Sequence, residues 1–197
     1  MLKIALTGPS GAGKGYVSRV LQKKGIGCLD CDKVVHGIYR DDGFAKVVSE
    51  ALSSDVRAKD GGIDRALLRP LVFSDKERMA RLQALIYPEV RKACRAFLQE
   101  EEGKGALAAA VDAPQLFEAG FEGDYDLIVS VIAPLETRIC RIMARDGIDR
   151  SSVLLRIENQ LSQEEYIARS HEVVVNDGVT DLEEAMDRLL LKHGVKF

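Results

Sequence analysis

A glycine-rich segment near the start of the chain contains the residue types of a phosphate-binding loop. It reads Gly8-Pro9-Ser10-Gly11-Ala12-Gly13-Lys14 and matches the first seven positions of the pattern G-x-x-x-x-G-K-[ST]. Glycines let successive backbone N–H groups converge on an anion, and the lysine reaches the β- and γ-phosphates. The segment therefore predicts binding of ATP, with Lys14 also serving catalysis. The residues expected to bind the nucleotide are Gly8, Gly11, Ala12, Gly13, Lys14, Gly15 and Tyr16.

The loop departs from the pattern at its eighth position. Gly15 occupies the place of the serine or threonine whose hydroxyl helps to hold magnesium, and Tyr16 follows it. Two interpretations of Tyr16 remain open: its hydroxyl donates to an α-phosphate, or its side chain lies aside and only backbone donors remain. The alternative that the whole segment is an ordinary glycine-rich turn is disfavoured, because a strand-like run precedes it and a helical pattern follows it.

Two aspartates, Asp30 and Asp32, follow the second predicted strand. Ligands of parallel sheets bind beyond the carboxyl ends of the strands, so this pair is expected beside the phosphate loop. In phosphoryl transfer, an aspartate can orient the acceptor hydroxyl and take its proton, which is the role expected of Asp32. Either aspartate can instead cap the helix that follows, but both cannot be the cap, so one carboxylate remains to be explained.

A third aspartate, Asp112, follows another predicted strand and is the candidate metal ligand. A carboxylate at that position can hold Mg²⁺ through water beside the phosphates. Its alternative role is again that of a helix cap.

The elements that must position these residues alternate between strands and helices. Strand-like runs at 2–6, 26–29, 106–111, 127–132 and 173–175 are separated by helical patterns at 16–24 and 136–169. Residues 33–100 form an apparent helical insertion, in which Pro70 and Pro88 are expected to interrupt the helices. The alanine-rich run 106–111 suits a helix equally well by composition, but the flanking Gly105 and Pro114 favour a strand. The pattern predicts an α/β fold with a parallel sheet covered by helices on both faces.

Composition limits the classes of partner. The 197 residues suit one domain, and 28 basic against 31 acidic residues give a net charge of −3. That charge favours neither nucleic acid nor a membrane surface as a partner. No apolar run approaches about 20 residues, and we expect the four cysteines to be reduced. These features predict a soluble, cytoplasmic protein that acts on small molecules.

The motifs together resemble the dephospho-coenzyme A kinase family of P-loop kinases, over nearly the whole chain. The loop follows Leu6-Thr7 as in that family, and Asp30-Cys31-Asp32 is similar to its Asp-Ala-Asp. Further similarity lies in four segments: Gly61-Gly62-Ile63-Asp64-Arg65 with Leu68-Arg69 and Val72-Phe73, Leu85-Ile86-Tyr87-Pro88-Glu89-Val90-Arg91, Asp112-Ala113-Pro114-Gln115-Leu116-Phe117-Glu118, and Arg156 with Gln160 and the later Asn176.

The resemblance implies a function and a set of roles. It implies transfer of the γ-phosphoryl group of ATP to the ribose 3′-hydroxyl of dephospho-coenzyme A, with Mg²⁺, in a single P-loop kinase domain covering residues 1–197. Residues 33–100 would be the acceptor-binding insertion and about 136–169 the lid with its flanking helices. Arg141 and Arg145, which share one helix face, are the candidate catalytic lid residues. The residues implied to bind the acceptor are Asp30, Asp32, Asp64, Arg69, Arg91 and Asp112.

Several positions depart from the family pattern, and they keep alternatives open. His36 and Tyr166 replace arginines, Tyr87 replaces a histidine, and Gln115 replaces a leucine. Exposed arginines at a spacing of four also occur on ordinary solvated helix faces. One alternative function is another small-molecule or nucleotide kinase of the same fold, since the loop alone does not select the acceptor. The other is a regulatory protein that binds ATP without turnover.

Overall fold

The computed structural model describes residues 1–59 and 61–196. Within it the chain forms two compact units, one of residues 1–29 with 97–197 and the other of residues 30–96. The second unit overlaps the predicted insertion 33–100, whose role in acceptor binding stays a prediction.

A five-stranded sheet organises the first unit. Its strands are β1 (Leu2–Thr7), β2 (Gly27–Asp30), β3 (Ala108–Asp112), β4 (Leu127–Ile132) and β5 (Glu172–Val175), in the spatial order β2-β3-β1-β4-β5. β1 pairs in parallel with β3 and with β4, and β4 pairs in parallel with β5. The order and direction place the carboxyl ends of these strands at one edge, as expected for a doubly wound α/β sheet.

The alanine-rich segment is a strand, as the flanking residues predicted. β3 is buried along Ala108, Ala109, Ala110 and Val111, because it lies inside the sheet and both of its faces are covered. Strands buried on both faces have nearly continuous apolar sequences, without the alternation seen in half-exposed strands. Small side chains are therefore compatible with this position although alanine has little strand preference.

The first unit also contains helices beside its sheet. These are α1 (Lys14–Lys23), α6 (Leu135–Asp146), α7 (Arg150–Glu158), α8 (Gln163–Arg169) and α9 (Leu182–Lys192), together with a short 3₁₀ turn at Glu122–Asp124. The helical stretch predicted at 136–169 is thus three helices. Gly147 ends the first of them in the left-handed conformation, with φ of 65°.

The last helix, α9, is an element to which the sequence analysis assigned no structure. Its buried residues Leu182, Met186, Leu189 and Leu190 have the i, i+4, i+7, i+8 spacing of one helix face. They join the core formed by β1, β3, β4 and α1. This spacing of apolar residues is therefore a sequence pattern from which the helix could have been predicted.

The second unit is helical. It contains α2 (Cys31–Ile38), α3 (Asp42–Leu52), α4 (Arg65–Phe73) and most of α5 (Lys76–Gly103). Asp30, Asp41 and Asp64 are the N-caps of α2, α3 and α4, each accepting hydrogen bonds from backbone N–H groups of the first turn. Apolar side chains of α3, α4 and α5 form its core around Ala45, Val48, Leu68 and Leu82.

The expectation that Pro70 and Pro88 interrupt the helices is wrong. Pro70 lies inside α4 and Pro88 lies inside the 28-residue α5. A proline removes one backbone hydrogen bond and crowds the carbonyl four residues earlier, at a cost of about 3 kcal/mol. Around Pro88, α5 buries Ile86 and Val90, and this packing offsets that cost.

Among the described residues, no helix is both long enough and apolar enough to cross a membrane.

We expect α9 to contribute strongly to the stability of the first unit. Met186 is fully buried, so Met186→Ala should lower the free energy of unfolding by about 2–5 kcal/mol. Arg188→Ala, an exposed change on the same helix that removes only the ion pair with Glu184, should cost less than about 1 kcal/mol. Urea unfolding of both variants measures the difference, and equal losses would contradict this role of Met186.

Candidate active site

The phosphate loop connects β1 to α1, and its backbone requires glycine at three positions. Gly8, Gly11 and Gly13 have φ values of 130°, 78° and 98°. A Cβ atom on Gly8 would lie 2.2 Å from the carbonyl oxygen of Val131, and one on Gly11 would lie 2.7 Å from that of Arg138. The loop is therefore held close to the end of β4 and to α6, where any side chain would collide with backbone.

The carbonyl groups of the loop accept hydrogen bonds from donors within the first unit. The Lys14 ammonium donates to the Gly8 carbonyl at 2.8 Å, and the Arg138 Nε donates to the Ser10 carbonyl at 2.9 Å. The Ala12 N–H donates to the Pro9 carbonyl at 3.2 Å. Because the N–H of a peptide points away from its C=O, the engaged Ser10 carbonyl turns the Gly11 N–H toward the opposite side, as in an anion-binding nest.

Asn176 and Arg141 hold the second half of the loop. The Asn176 side chain donates to the Ala12 carbonyl at 2.8 Å, and the Arg141 guanidinium lies 3.4 Å from the Gly11 and Ala12 carbonyls. Arg141 also donates to the side-chain and backbone oxygens of Asn176, at 3.1 and 3.3 Å. A guanidinium is thus fixed at the loop, and its contact with a transferred phosphate stays a prediction.

The two predicted lid arginines have different surroundings. Unlike Arg141, Arg145 makes two hydrogen bonds to Asp146, at 2.7 and 2.9 Å, and its side chain is 61% exposed. Arg156 donates to the same carboxylate. These two arginines hold the pKa of Asp146 well below its usual range. Arg145 therefore neutralises a neighbouring carboxylate in this structure, and its catalytic role also stays a prediction.

A third arginine of α6 is buried next to the loop. Arg138 is only 4% exposed, and burial lowers the pKa of its guanidinium. Its charge is oriented by the hydrogen bond to Ser10. Arg138 stands with Arg141 and Arg145 where the resembling family begins its arginine-rich lid, but only the latter two were predicted as catalytic residues.

A cavity of about 860 Å³ opens beside the loop at the start of α1. It is lined by loop and helix residues and by the segment after β5, including Gly13, Tyr16, Arg141, Asn176, Val179 and Thr180. This volume is within the range of small-molecule sites. The 178–180 segment is a part of the site that the sequence analysis missed, because turn residues carry no chemical motif.

Tyr16 lies at this cavity and is 44% exposed. The Arg19 guanidinium lies 5.7 Å from the centroid of its ring, at cation–π distance. The tyrosine is therefore on the surface of the site and outside the core. Whether its hydroxyl binds an α-phosphate stays open, as the sequence analysis left it.

Asp112 ends β3 at the same sheet edge as the loop. It is the register partner of Leu6, and the following N–H, that of Ala113, donates to the Leu6 carbonyl at 2.9 Å. Burial and the nearby carboxylates of Asp112 and Glu101 raise the pKa of the Cys28 thiol to about 12. The position agrees with a carboxylate beside the phosphates, and metal or acceptor binding by Asp112 stays a prediction.

In the second unit, Asp30 and Asp32 have separate surroundings. One carboxylate oxygen of Asp30 accepts from the N–H groups of Asp32 and Lys33, at 2.9 and 3.2 Å. Asp30 is therefore the cap of α2, and Asp32 is an exposed residue of the first turn. Of the two aspartates, Asp32 is the one whose presence capping does not explain.

The other predicted acceptor-binding residues also lie in this unit. Asp64 caps α4 by accepting from the N–H groups of Ala66 and Leu67, at 2.8 and 3.3 Å. Arg69 is exposed on α4, and Arg91 is half-buried on α5. The structure gives Asp64 a local structural role, and acceptor binding by the three residues stays a prediction.

Tyr166, which stands where the resembling family has an arginine, is a core residue of the first unit. It is fully buried, its ring lies 5.8 Å from that of Phe117, and its hydroxyl donates to the Pro114 carbonyl at 3.4 Å. Burial and the nearby Glu118 carboxylate raise the pKa of Tyr166 to about 12. This position therefore supplies packing and no positive charge.

Comparison with known proteins places these features in a family. A family model described as Dephospho-CoA kinase matches residues 2–181. The dephospho-CoA kinase of Deinococcus radiodurans is 36% identical over 189 residues, which cover 95% of this chain and 90% of that protein.

Solved structures agree with the fold. A crystal structure of a Thermus thermophilus protein has a TM-score of 0.83 at 33% identity, covering 99% of this chain and 98% of that one. The shikimate kinase of Acinetobacter baumannii has a TM-score of 0.53 at 15% identity, covering 100% and 96%, which shows a shared fold alone. The predicted parallel-sheet P-loop kinase fold is confirmed, and this chain belongs to the dephospho-CoA kinase family.

Proposed function

We propose that this chain is an enzyme that transfers the γ-phosphoryl group of ATP to the ribose 3′-hydroxyl of dephospho-coenzyme A, giving coenzyme A and ADP. The phosphate loop carries the proposal, because Arg138 and Asn176 bind the Ser10 and Ala12 carbonyls, so that the Gly11 and Gly13 amides of the same peptides can face an anion. Membership of the dephospho-CoA kinase family supports this choice of acceptor over other hydroxyl compounds.

ATP is proposed to bind across the loop and the adjoining cavity. The loop amides and the positive end of α1 bind the β- and γ-phosphates, and Lys14 neutralises part of their charge. The cavity of about 860 Å³ next to the loop has room for the nucleoside. Arg141, which is already fixed at the loop, would stabilise charge on the transferred group, as would Arg145 after leaving Asp146.

The residues beside the loop fit magnesium held mainly by phosphate oxygens and water. Asp112 offers the hard oxygen ligand that Mg²⁺ prefers, at the end of β3, which pairs with β1, whereas Gly15 offers no hydroxyl. When bound, the metal neutralises charge that develops on the β- and γ-oxygens. Asp112 would hold it through water.

Asp32 is the proposed general base. Its neighbour Asp30 caps α2, and Asp32 is proposed to orient the 3′-hydroxyl and to accept its proton as the oxygen attacks phosphorus. Arg69 and Arg91 are proposed to pair with the diphosphate of the acceptor, and Asp64 to fix the start of α4 that carries Arg69.

The proposed setting is the reducing cytoplasm, with ATP and the acceptor as small-molecule partners. A net charge of −3 favours neither nucleic acid nor a membrane surface as a further partner.

The proposal is tested by measuring ADP release from ATP and Mg²⁺ with dephospho-coenzyme A, AMP, CMP, shikimate or no acceptor. We expect turnover with dephospho-coenzyme A alone. Turnover with another acceptor would keep the kinase mechanism but reject the acceptor, and tight ATP binding without turnover would favour the regulatory alternative.

Replacing Asp32 by asparagine tests its role as base. We expect Asp32→Asn to lower kcat by about 10²–10⁴-fold with KM for ATP nearly unchanged, since only proton transfer is lost. The matched change Asp30→Asn keeps a capping side chain while removing the charge, and should lower kcat by less than about tenfold. Steady-state kinetics of both variants measure these changes. Similar losses of kcat in the two would contradict the assignment of Asp32 as the base.

The glycine at position 15 predicts weak magnesium binding, which a hydroxyl at that position should strengthen. A Cβ on Gly15 would meet its nearest neighbour, the Arg19 guanidinium, at 3.9 Å, so a side chain fits there. We expect Gly15→Ser to lower the half-saturating Mg²⁺ concentration by about threefold to tenfold, because its hydroxyl adds a metal ligand.

Calorimetric titration of ATP at several Mg²⁺ concentrations measures this effect without turnover. Gly15→Ala fills the same space without a hydroxyl and serves as the control. An equal change in the serine and alanine variants would show that the effect comes from bulk and not from metal ligation.

A further inference from the structure

The third residue of the phosphate loop, Ser10, has all of its polar groups engaged by the segment that follows β4. Its N–H donates to Gln160 Oε1 at 3.1 Å, and its hydroxyl accepts from Gln160 Nε2 at 2.8 Å. Its carbonyl accepts from Arg138 at 2.9 Å. Two residues of the predicted lid, Gln160 and Arg138, therefore bind the N–H, the hydroxyl and the carbonyl of Ser10.

Gln160 is well suited to this contact by chemistry. A side-chain amide carries both an acceptor oxygen and donor hydrogens, so it can bind a serine N–H and hydroxyl at the same time. An ionised glutamate offers only acceptors, and it would add negative charge beside a triphosphate. The contact therefore depends on the amide itself.

Hydrogen bonds fix the backbone before and after Gln160. Its N–H donates to the Ile157 carbonyl in the turn that ends α7, at 3.1 Å. Two residues later Ser162 begins α8 with a capping box, in which Ser162 and Glu165 exchange hydrogen bonds of 2.7 and 3.2 Å. The side chain thus projects from a short connection with fixed ends, which limits the positions that its amide can take.

The helix before this connection is tied to α6. Glu136 accepts two hydrogen bonds from Arg150, at 2.8 and 2.6 Å, and buried Ile139, Ile142 and Val153 join the two helices. Since α6 also carries Arg138 and Arg141, the same block of helices contacts the loop at Ser10, Gly11 and Ala12.

We propose that Gln160 is a positioning residue that fixes the Ser10 peptide and thereby preorganises the phosphate loop for the triphosphate. A loop that is already ordered loses less conformational entropy when the anion binds. Gln160 acts on Ser10 and not on the reacting atoms. The inference rests on the proposed use of this loop to bind ATP.

The test compares ATP affinity of the full-length protein and a Gln160→Met variant, which keeps the length of the side chain but removes the amide. We expect the Kd for ATP with Mg²⁺, measured by calorimetry, to rise by about tenfold, the loss of one to two neutral hydrogen bonds. KM for ATP should rise by a similar factor, while KM for dephospho-coenzyme A should change by less than about twofold.

Two controls separate this role from a loss of folding. Asn159→Ala removes a side chain from the same turn, where Asn159 Nδ2 donates to the Leu155 carbonyl at 2.8 Å, and should leave the Kd for ATP unchanged. In a Ser10→Ala background, Gln160→Met should raise Kd by a smaller factor than in the native chain, because one of the two hydrogen bonds is already absent.

Each outcome decides the inference. An unchanged Kd in Gln160→Met, with ATP bound normally by the native chain, would overturn the role of Gln160 and leave the proposed function intact. A lower melting temperature and lower kcat at unchanged KM for ATP would also overturn it, since that pattern indicates a structural role. Failure of the native chain to bind ATP would contradict both the inference and the proposed function.

Discussion

The hydrogen bonding of the loop carbonyls is the constraint on which the rest of the first unit depends. A backbone that presents its amides to an anion must turn its carbonyls toward the protein, and buried carbonyls need donors. Lys14, Arg138, Arg141 and Asn176 supply them. Lys14 directly follows the loop, whereas Arg138 and Arg141 lie on α6 and Asn176 follows β5, so the sheet must bring α6 and the end of β5 to the loop.

The parallel sheet meets this requirement through its register. Ile132 is the partner of Val175, and the Asn176 N–H donates to the Ile132 carbonyl at 2.8 Å, which fixes Asn176 just past the end of β5. Helix α6 begins three residues after β4 ends, so Arg138 and Arg141 lie on its first two turns, near the loop. Burying Arg138 lowers its pKa and is unfavourable in itself, and the hydrogen bond to Ser10 offsets part of that cost.

Much of this could be predicted from the sequence, because local patterns determine it. The loop and its flanking strand and helix were predicted, and β4 was predicted with the bounds observed. Contacts between distant residues were not predictable: Gln160 lies 150 positions from Ser10, and a glutamine alone carries no signal of its partner. The prediction that Pro70 and Pro88 interrupt helices was wrong for the same reason, since tertiary packing outweighed the local preference of proline against a helix interior. Which of Asp30 and Asp32 caps α2 could be decided only from the hydrogen bonds seen in the structure.

If the loop serves phosphoryl transfer to a ribose hydroxyl, the chemical identity of the product will show it. Dephospho-coenzyme A, ATP and Mg²⁺ would be incubated with the protein, and the product analysed by mass spectrometry and ³¹P NMR. We expect one added phosphoryl group, present as a monoester on the ribose 3′-oxygen. A phosphoryl group at another position, or release of inorganic phosphate without an added group on the acceptor, would contradict it.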